Sequence, residues 1–277
     1  MSYLLCVFIV MGLAVTSHSY ILPAKQILGF MIEQLGSART FVVVQNSVIY
    51  DPAIEGGMRE LDETLYYWYP DRFRREVNTP GSEQVRVVGP DGAIFVTNGK
   101  IVAETQSLFD HFKDPLLYRE KELLLHSLGE QDINLDVVSL GRYKDKFAYV
   151  IGAKYPDESV PQIWIEKNTF RPIRYVLKGG GFDGAPLEEI EYSDYKALDK
   201  KKWWYPTRIV FYQNGRPDRV YVLKSYTVNP NLSEQLFDIA YLKTVYKPIA
   251  STQQSPSPTS EVDDVKKAIR DFTKIFE

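Results

Sequence analysis

The turns constrain this chain more than any other feature. The strand-like runs QVRVV, AIFVTN and KIVAE are separated by Asp91-Gly92 and Asn98-Gly99. Such dipeptides between β-rich runs are the strongest short-range hairpin signals. The same pattern extends over most of the sequence. ARTFVVVQNSVIY, ELDETLYYWY and RFRREVNT come before these runs, and KFAYVIGA, PQIWIEK, PIRYVLKG, LEEIEYSDY, WWYPTRIVFYQ and DRVYVLKSYTVN come after. Pro70-Asp71, Lys167-Asn168 and QNGRPD supply further turns. About eleven strands result, adjacent in sequence, which is an antiparallel meander and not a βαβ pattern. An open twisted sheet tolerates roughly ten strands before it curls or splits. The expected fold is mainly β with helices: a curved antiparallel sheet, an incomplete β-barrel, whose concave face is covered by helices.

Composition agrees with a β-rich body. Of the 277 residues, 13% are aromatic and 19 are tyrosine, and tyrosine favours strands. The net charge of −3 gives no electrostatic case for nucleic acid, which calls for a clustered basic footprint.

Two segments carry helical spacing. ILPAKQILGFMIEQLG places Ile27, Phe30, Met31 and Leu35 on one side, with Gly36 as C-cap. DPLLYREKELLLHSLGE places Leu116, Leu117, Glu120, Leu124 and Leu128 at amphipathic spacing, bounded near Asp114 and Gly129. Helices with apolar stripes must bury them somewhere.

The first residues, MSYLLCVFIVMGLAV, form an uncharged apolar run followed by TSHSY. Ser17 and Ser19 stand at the −3 and −1 positions of a cleavage after Ser19. The run is about 15 residues, short of the roughly 20 of a membrane span. Residues 1–19 read as a secretory signal peptide, an uncleaved anchor being the alternative. The one cysteine, Cys6, lies inside this segment, so the mature chain forms no disulfide. The expected location is a bacterial periplasm. Residues 20–250 form the β domain. STQQSPSPTSE, within 251–261, reads as a linker. Residues 262–277 place Val265, Ile269, Phe272 and Phe276 on one face of a C-terminal amphipathic helix.

Catalytic motifs are sparse. There is no Gly-x-Ser-x-Gly elbow and no Gly-rich phosphate loop opening a helix. KGGGFDG lies between strands and reads as a hairpin loop. His111 and His126 have no cysteine near them and read as solvated or capping residues, not metal ligands. Glu188, Glu189 and Glu191 occur on one strand, where neighbours point to opposite faces. The expectation is a protein that is not an enzyme and carries no metal and no cofactor.

The run Tyr66, Tyr67, Trp68, Tyr69 makes both faces of one strand apolar. Either both faces are buried or one lines something other than an ordinary core. Taking Leu65, Tyr67 and Tyr69 as inward, the next strand turns Phe73, Arg75 and Val77 inward and Arg72, Arg74 and Glu76 to water. The following hairpin is expected to add Val85, Val87, Ile94 and Val96, and later strands Ile163, Ile165, Ile209 and Phe211. These fourteen residues are the candidate wall of an apolar, lipid-binding cavity.

LYYWYPDRFRREVNTPGSEQVRVVGPDGAIFVTNGKIV resembles the segment of LolA-like lipoprotein carriers in which an aromatic strand ends in x-Pro-x-x-Phe and runs on to an Asp-Gly or Asn-Gly hairpin. EIEYSDYKALDKKKWWYPTRIVFY is similar to the back half of longer outer-membrane lipoprotein-sorting proteins. The resemblance covers about Ile21 to Tyr241. It implies an incomplete β-barrel with a helical lid that holds acyl chains in transit between membranes. In that family an arginine commonly precedes the proline and helps hold the lid shut; here the position is Tyr69. The aromatic residue three after the proline is kept as Phe73, and a tryptophan two further on is replaced by Arg75.

Transport fits the physics. An acyl chain gains about 0.8 kcal/mol per buried methylene, so a sixteen-carbon chain resists leaving a membrane by roughly 12 kcal/mol. The expected function is a periplasmic carrier that binds acyl chains of lipoproteins or lipids for transfer to the outer membrane, with transient contacts to membrane donor and acceptor proteins. The alternative is an envelope-stress sensor of the same fold, a regulatory lipid-binding module acting through a protein partner.

Overall fold

The computed structural model describes residues 21–53, 56–103, 108–178, 187–198 and 203–248. The expected signal peptide, linker and C-terminal helix lie outside the described residues.

The strands form two arms that meet at the first strand. The first arm comprises β1 (Thr40–Tyr50), β2 (Met58–Trp68), β3 (Arg72–Thr79), β4 (Ser82–Gly89), β5 (Gly92–Thr97) and β6 (Lys100–Val102). The second comprises β7 (Val138–Tyr143), β8 (Lys146–Ile151), β9 (Gln162–Glu166), β10 (Pro172–Lys178), β11 (Leu187–Leu198), β12 (Trp203–Gln213) and β13 (Arg216–Val228). β13 pairs antiparallel with β1, so one meander returns to the start of the other. With β14 (Lys247–Pro248) they form one 14-stranded sheet in the order β14-β6-β5-β4-β3-β2-β1-β13-β12-β11-β10-β9-β8-β7. The sheet is curved and does not close, as an incomplete barrel requires.

The hairpin signals act as expected. Gly92 (φ 112), Asn98 (φ 50) and Gly99 (φ 73) all take the positive φ that tight hairpin turns demand. The sequence-based count missed two strands. β7 contains Gly141, which depresses strand propensity. A Cβ there would stand 2.8 Å from Tyr155 and 2.9 Å from Trp164, so glycine is what lets the loop residue Tyr155 and the strand residue Trp164 close over it. β14 is only two residues long and pairs parallel with β6, which no local pattern announces.

Helix α1 (Ala24–Leu35) buries Ala24, Ile27, Leu28, Met31 and Leu35 and ends at Gly36 (φ 94). The expected mid-chain helix is two pieces, α2 (Asp114–Leu117) and α3 (Lys121–Glu130). Tyr118 breaks it with extended backbone (φ −72, ψ 108). A tertiary contact takes over here, because the Arg119 N–H donates to the Pro70 carbonyl at 3.4 Å and its guanidinium lies 4.6 Å from the Tyr69 ring centre. Both pieces still bury their leucines: Leu116, Leu117, Leu124 and Leu128 are all inaccessible. α1, α2 and α3 pack with the sheet's inner face into the main core. No helix among the described residues is long and apolar enough to cross a membrane.

A second core lies on the opposite face. Phe237 and the helix α4 (Ile239–Val245), through Ile239 and Leu242, pack on Val85, Val87, Ile94 and Val96, with Tyr66 and Trp68 against them. The expectation that these four aliphatics face the helix-covered hollow is therefore corrected. The β3–β4 register sets Arg75 opposite Arg86 and Glu76 opposite Val85, and paired residues share a face. Arg86, not Val85, continues the inner row. Likewise Arg74 is not a solvated residue; it is buried and donates to the Leu236 carbonyl at 3.0 Å. The aromatic run is now explained: Tyr67 and Tyr69 belong to the inner core, Tyr66 and Trp68 to the outer one.

Candidate functional site

Alternation along each strand assembles the inner face. β2 contributes Leu65 and Tyr67, with Tyr69 just beyond its end, and β3 contributes Phe73; all four lie in the main core. So do Ile163 and Ile165 of β9 and Ile209 and Phe211 of β12. Eight of the fourteen expected wall residues thus converge under the helices. Arg75 and Val77 continue the β3 row out of that core into a neighbouring cavity.

The hollow under the helices is filled in this conformation. Its plug is Phe112, on a 3-10 segment running from Leu108 to Lys113. The Phe112 ring meets Tyr221 at 5.2 Å, Phe211 at 5.8 Å and Phe73 at 6.3 Å between centroids, each edge-on. Edge-to-face contacts of this kind add about 0.5–1.5 kcal/mol each beyond burial. Leu116, Leu117, Leu124 and Leu128 fill the space behind it. The expected open hollow is therefore occupied by the protein's own side chains.

Polar groups latch this cover to the sheet. The Tyr192 hydroxyl donates to the Phe112 carbonyl at 2.9 Å, and Arg86 pairs with Asp110 at 2.7 Å. The Arg119 guanidinium donates to the Tyr69 hydroxyl at 3.3 Å while lying over its ring. The cation comes from the cover and the aromatic ring from the sheet, so Tyr69 holds the cover without an arginine before the proline. Within the cover, buried Asp114 accepts from Lys113 and Ser127 and pairs with His111.

Burial pushes the Asp114 carboxyl up, but Lys113 and His111 outweigh it and hold it below the ordinary aspartate value of 3.8. A depressed carboxyl stabilises the fold above its unfolded value and loses that contribution as pH falls through its folded value. The loss therefore falls below about pH 4. In urea unfolding between pH 6 and pH 3, wild-type stability is expected to drop along an acid limb that Asp114→Asn flattens. The variant is expected to be less stable at pH 6, because buried Lys113 then lacks its carboxylate partner. Parallel acid limbs in the two proteins would contradict this.

The walls of the hollow are neutral. Burial drives the phenols of Tyr67, Tyr175 and Tyr192 well above their usual range, so they stay protonated. Tyr67 and Tyr205 share a hydrogen bond of 3.2 Å, while the buried Tyr175 hydroxyl has no hydrogen-bond partner among the described residues.

Where the cover ends, the inner face opens into a cavity of about 330 Å³. That is at the lower end of small-molecule sites. Ile49, Leu61, Val77 and Phe95 give it an apolar floor, and Thr79, Ser82 and Gln84 a polar side. Arg59, Arg75, Arg86 and Arg219 project into it, and Asp110 and Tyr221 form the wall shared with the plug. Arg75 is bound at two points by Glu63, at 2.6 and 3.0 Å. Burial alone would pull the Arg75 guanidinium down, but Tyr221 and Glu63 outweigh it and the net shift is upward. Among the described residues no cluster of three or more His, Cys, Asp or Glu side chains could hold a metal ion.

Sequence reasoning missed Phe112, Asp110, Arg86 and Arg219. LFDHFKD has no strand or helix period and gave no signal for the first two. Arg86 was legible: in QVRVVG its parity follows once the Arg75 row is taken as inner.

No family model matches this sequence, and no curated protein matches it. Solved structures do match. A LolA superfamily protein from Nitrosomonas europaea superposes with a TM-score of 0.55 at 14% identity, covering 80% of this chain and 100% of that one. A putative outer membrane lipoprotein-sorting protein domain from Vibrio parahaemolyticus superposes with a TM-score of 0.50 at 11% identity, covering 79% and 97%. The chain has the LolA-like fold.

Proposed function

We propose that this chain is a carrier for acyl chains of lipids or lipoproteins, working between the two membranes of a bacterial envelope, and that the structure is its closed form. One observation carries the reading: the hollow of the curved sheet is filled by side chains of the cover packed among those of the strands, and we take that covering segment to be detachable. Phe112 reaches it from a short 3-10 segment held by a few polar latches. A core built only of strand side chains has no such removable part. Withdrawing Phe112 would join the arginine-lined cavity to the space behind Tyr221, because Tyr221 borders both.

The wall chemistry supports the same reading. Tyr67, Tyr192, Tyr205 and Tyr221 are apolar bodies with polar tips, so the vacated hollow would accept methylenes without binding them irreversibly. The likeness to a lipoprotein-sorting domain adds to this reading. The role is one of binding, with no catalytic step assigned. The expected result of native mass spectrometry on protein taken from envelope extracts is a population heavier by the mass of one lipid or acyl group. Protein homogeneous at its own mass, before and after incubation with lipid micelles, would overturn the proposal.

A further inference from the structure

We propose that the free edge of β7 docks an extended peptide segment of a partner protein, apolar in its middle and acidic at its flanks. This goes beyond the carrier reading and does not depend on it. β7 ends the 14-stranded sheet. At the other end the chain covers the edge of β6 with its own β14, but among the described residues nothing pairs with the far side of β7. The two-residue turn Lys144-Asp145 closes the β7–β8 hairpin at Tyr143 and Lys146, and the Gly152 N–H donates to the Val137 carbonyl at 2.9 Å. Hydrogen-bonded pairs alternate along an antiparallel ladder. Ser139, Gly141 and Tyr143 therefore bond to β8, and Val138, Leu140 and Arg142 turn their N–H and C=O groups outward. The β7–β8 register is unbroken and β7 contains no proline. Bulges and prolines are the usual means of blunting an edge; without them this one is able to accept a strand.

A groove of about 480 Å³ lies along this edge. Leu140, Arg142 and Phe147 line it from the inner side, since Leu140 stands opposite Tyr149 of the main core and Arg142 opposite Phe147. Tyr155 lines it from the outer side, where its ring closes over Gly141 and meets Trp164 edge-on at 5.9 Å. A space touched from both faces of a strand passes round its edge. Phe147, Tyr155 and Leu140 are 62%, 44% and 37% exposed, so an added strand finds apolar partners for side chains on both of its faces. Exposed apolar groups gathered in this way mark an interaction site. The charge along the groove is of one sign. Arg142, over the Phe147 ring at 5.9 Å, and Lys167 line it, and neither pairs with a carboxylate among the described residues. The adjoining acids are engaged elsewhere: Asp145 lines a separate cavity, and Glu166 is taken by Lys146 and Thr169. A second copy of the chain would bring another Arg142 and Lys167 to the same place, which like charge disfavours. Acidic flanks suit it.

The test is an NMR titration of the isotope-labelled chain with two capped peptides of alternating valine and threonine, one with glutamate at both ends and one with lysine. The expected result is that the glutamate peptide shifts the backbone amide signals of Leu140 and Arg142 and protects them from hydrogen exchange. It should bind about tenfold more tightly than the lysine peptide at low ionic strength, the scale of two exposed ion pairs, with the gap narrowing as salt is added. Phe147→Ser is expected to lose most of the binding while keeping the wild-type melting temperature, because that side chain is mostly exposed. Arg142→Gln combined with Lys167→Gln is expected to bind both peptides equally. Binding of neither peptide, equal binding of both by wild type, or shifts confined to residues away from β7 would each overturn the proposal. A concentration-dependent dimer that protects the same β7 amides without peptide would give the edge to a second copy and overturn the acidic partner. All of these outcomes leave the carrier reading untouched.

Discussion

Replacing Glu63 by glutamine is expected to lower the unfolding free energy by about 3–5 kcal/mol, the cost of leaving one member of a buried ion pair uncompensated. The Glu63 side chain is fully buried, and Arg75 is 14% exposed. Glu63 accepts two bonds from Arg75 and one from Gln45 at 3.2 Å, so its carboxylate is the hub of a polar cluster that joins β1, β2 and β3. Glutamine keeps the shape and loses the charge. The guanidinium, held firmly in its charged form, then faces a neutral partner inside the sheet. In urea the midpoint is expected to fall with an unchanged slope. Replacing both residues by leucine and methionine is expected to recover most of the loss, because no buried charge then remains. A drop for the double variant equal to that of Glu63→Gln would contradict the account, as would a single-variant cost below about 1 kcal/mol, the scale of an exposed pair.

Phe112→Ala carries the second large effect. Removing a buried phenylalanine costs about 3–5 kcal/mol when the site does not collapse. Here collapse is resisted, since Phe73, Phe211 and Tyr221 are fixed on three strands that cannot approach each other. The same space is the one proposed for an acyl chain. A ligand that binds only the folded state stabilises by RT ln(1 + [L]/Kd), about 2.7 kcal/mol at a hundredfold excess over Kd. Palmitate is therefore expected to raise the melting temperature of Phe112→Ala more than that of wild type, because the variant no longer has to expel its plug. Equal shifts in both proteins would mean that the chain does not use the space of Phe112. Phe112→Leu, which refills much of that space, is expected to behave like wild type.

Much of the fold was legible in local pattern. Asp91-Gly92 and Asn98-Gly99 set the first-arm hairpins, and residue parity placed Leu65, Tyr67, Phe73, Ile163 and Phe211 on one face. What failed was the transfer of parity across a turn. Val85 and Val87 look like core, and they are core, but of a second layer built by Phe237, Ile239 and Leu242. Nothing within β4 reveals that layer, because the covering residues lie far along the chain. The cost was also one of chemistry. An inner row of Arg75 and Arg86 violates the expectation of an oily wall, yet the β3–β4 pairing requires it. The split of the mid-chain helix at Tyr118 has the same origin: Arg119 leaves the helical path for Tyr69 and Pro70, partners some fifty residues away in sequence. The plug residue itself sits in a segment with no period at all.

The central claim is that the hollow of the sheet exchanges Phe112 and its neighbours for a hydrocarbon chain. A chain-length series tests it most directly. Saturated fatty acids of ten to sixteen carbons, titrated against the purified protein below their micelle concentrations, are expected to bind one to one. Affinity should rise about fourfold per added methylene, the equivalent of about 0.8 kcal/mol, and level off when the hollow is full. Affinity independent of chain length, or the absence of binding at every length, would contradict the account.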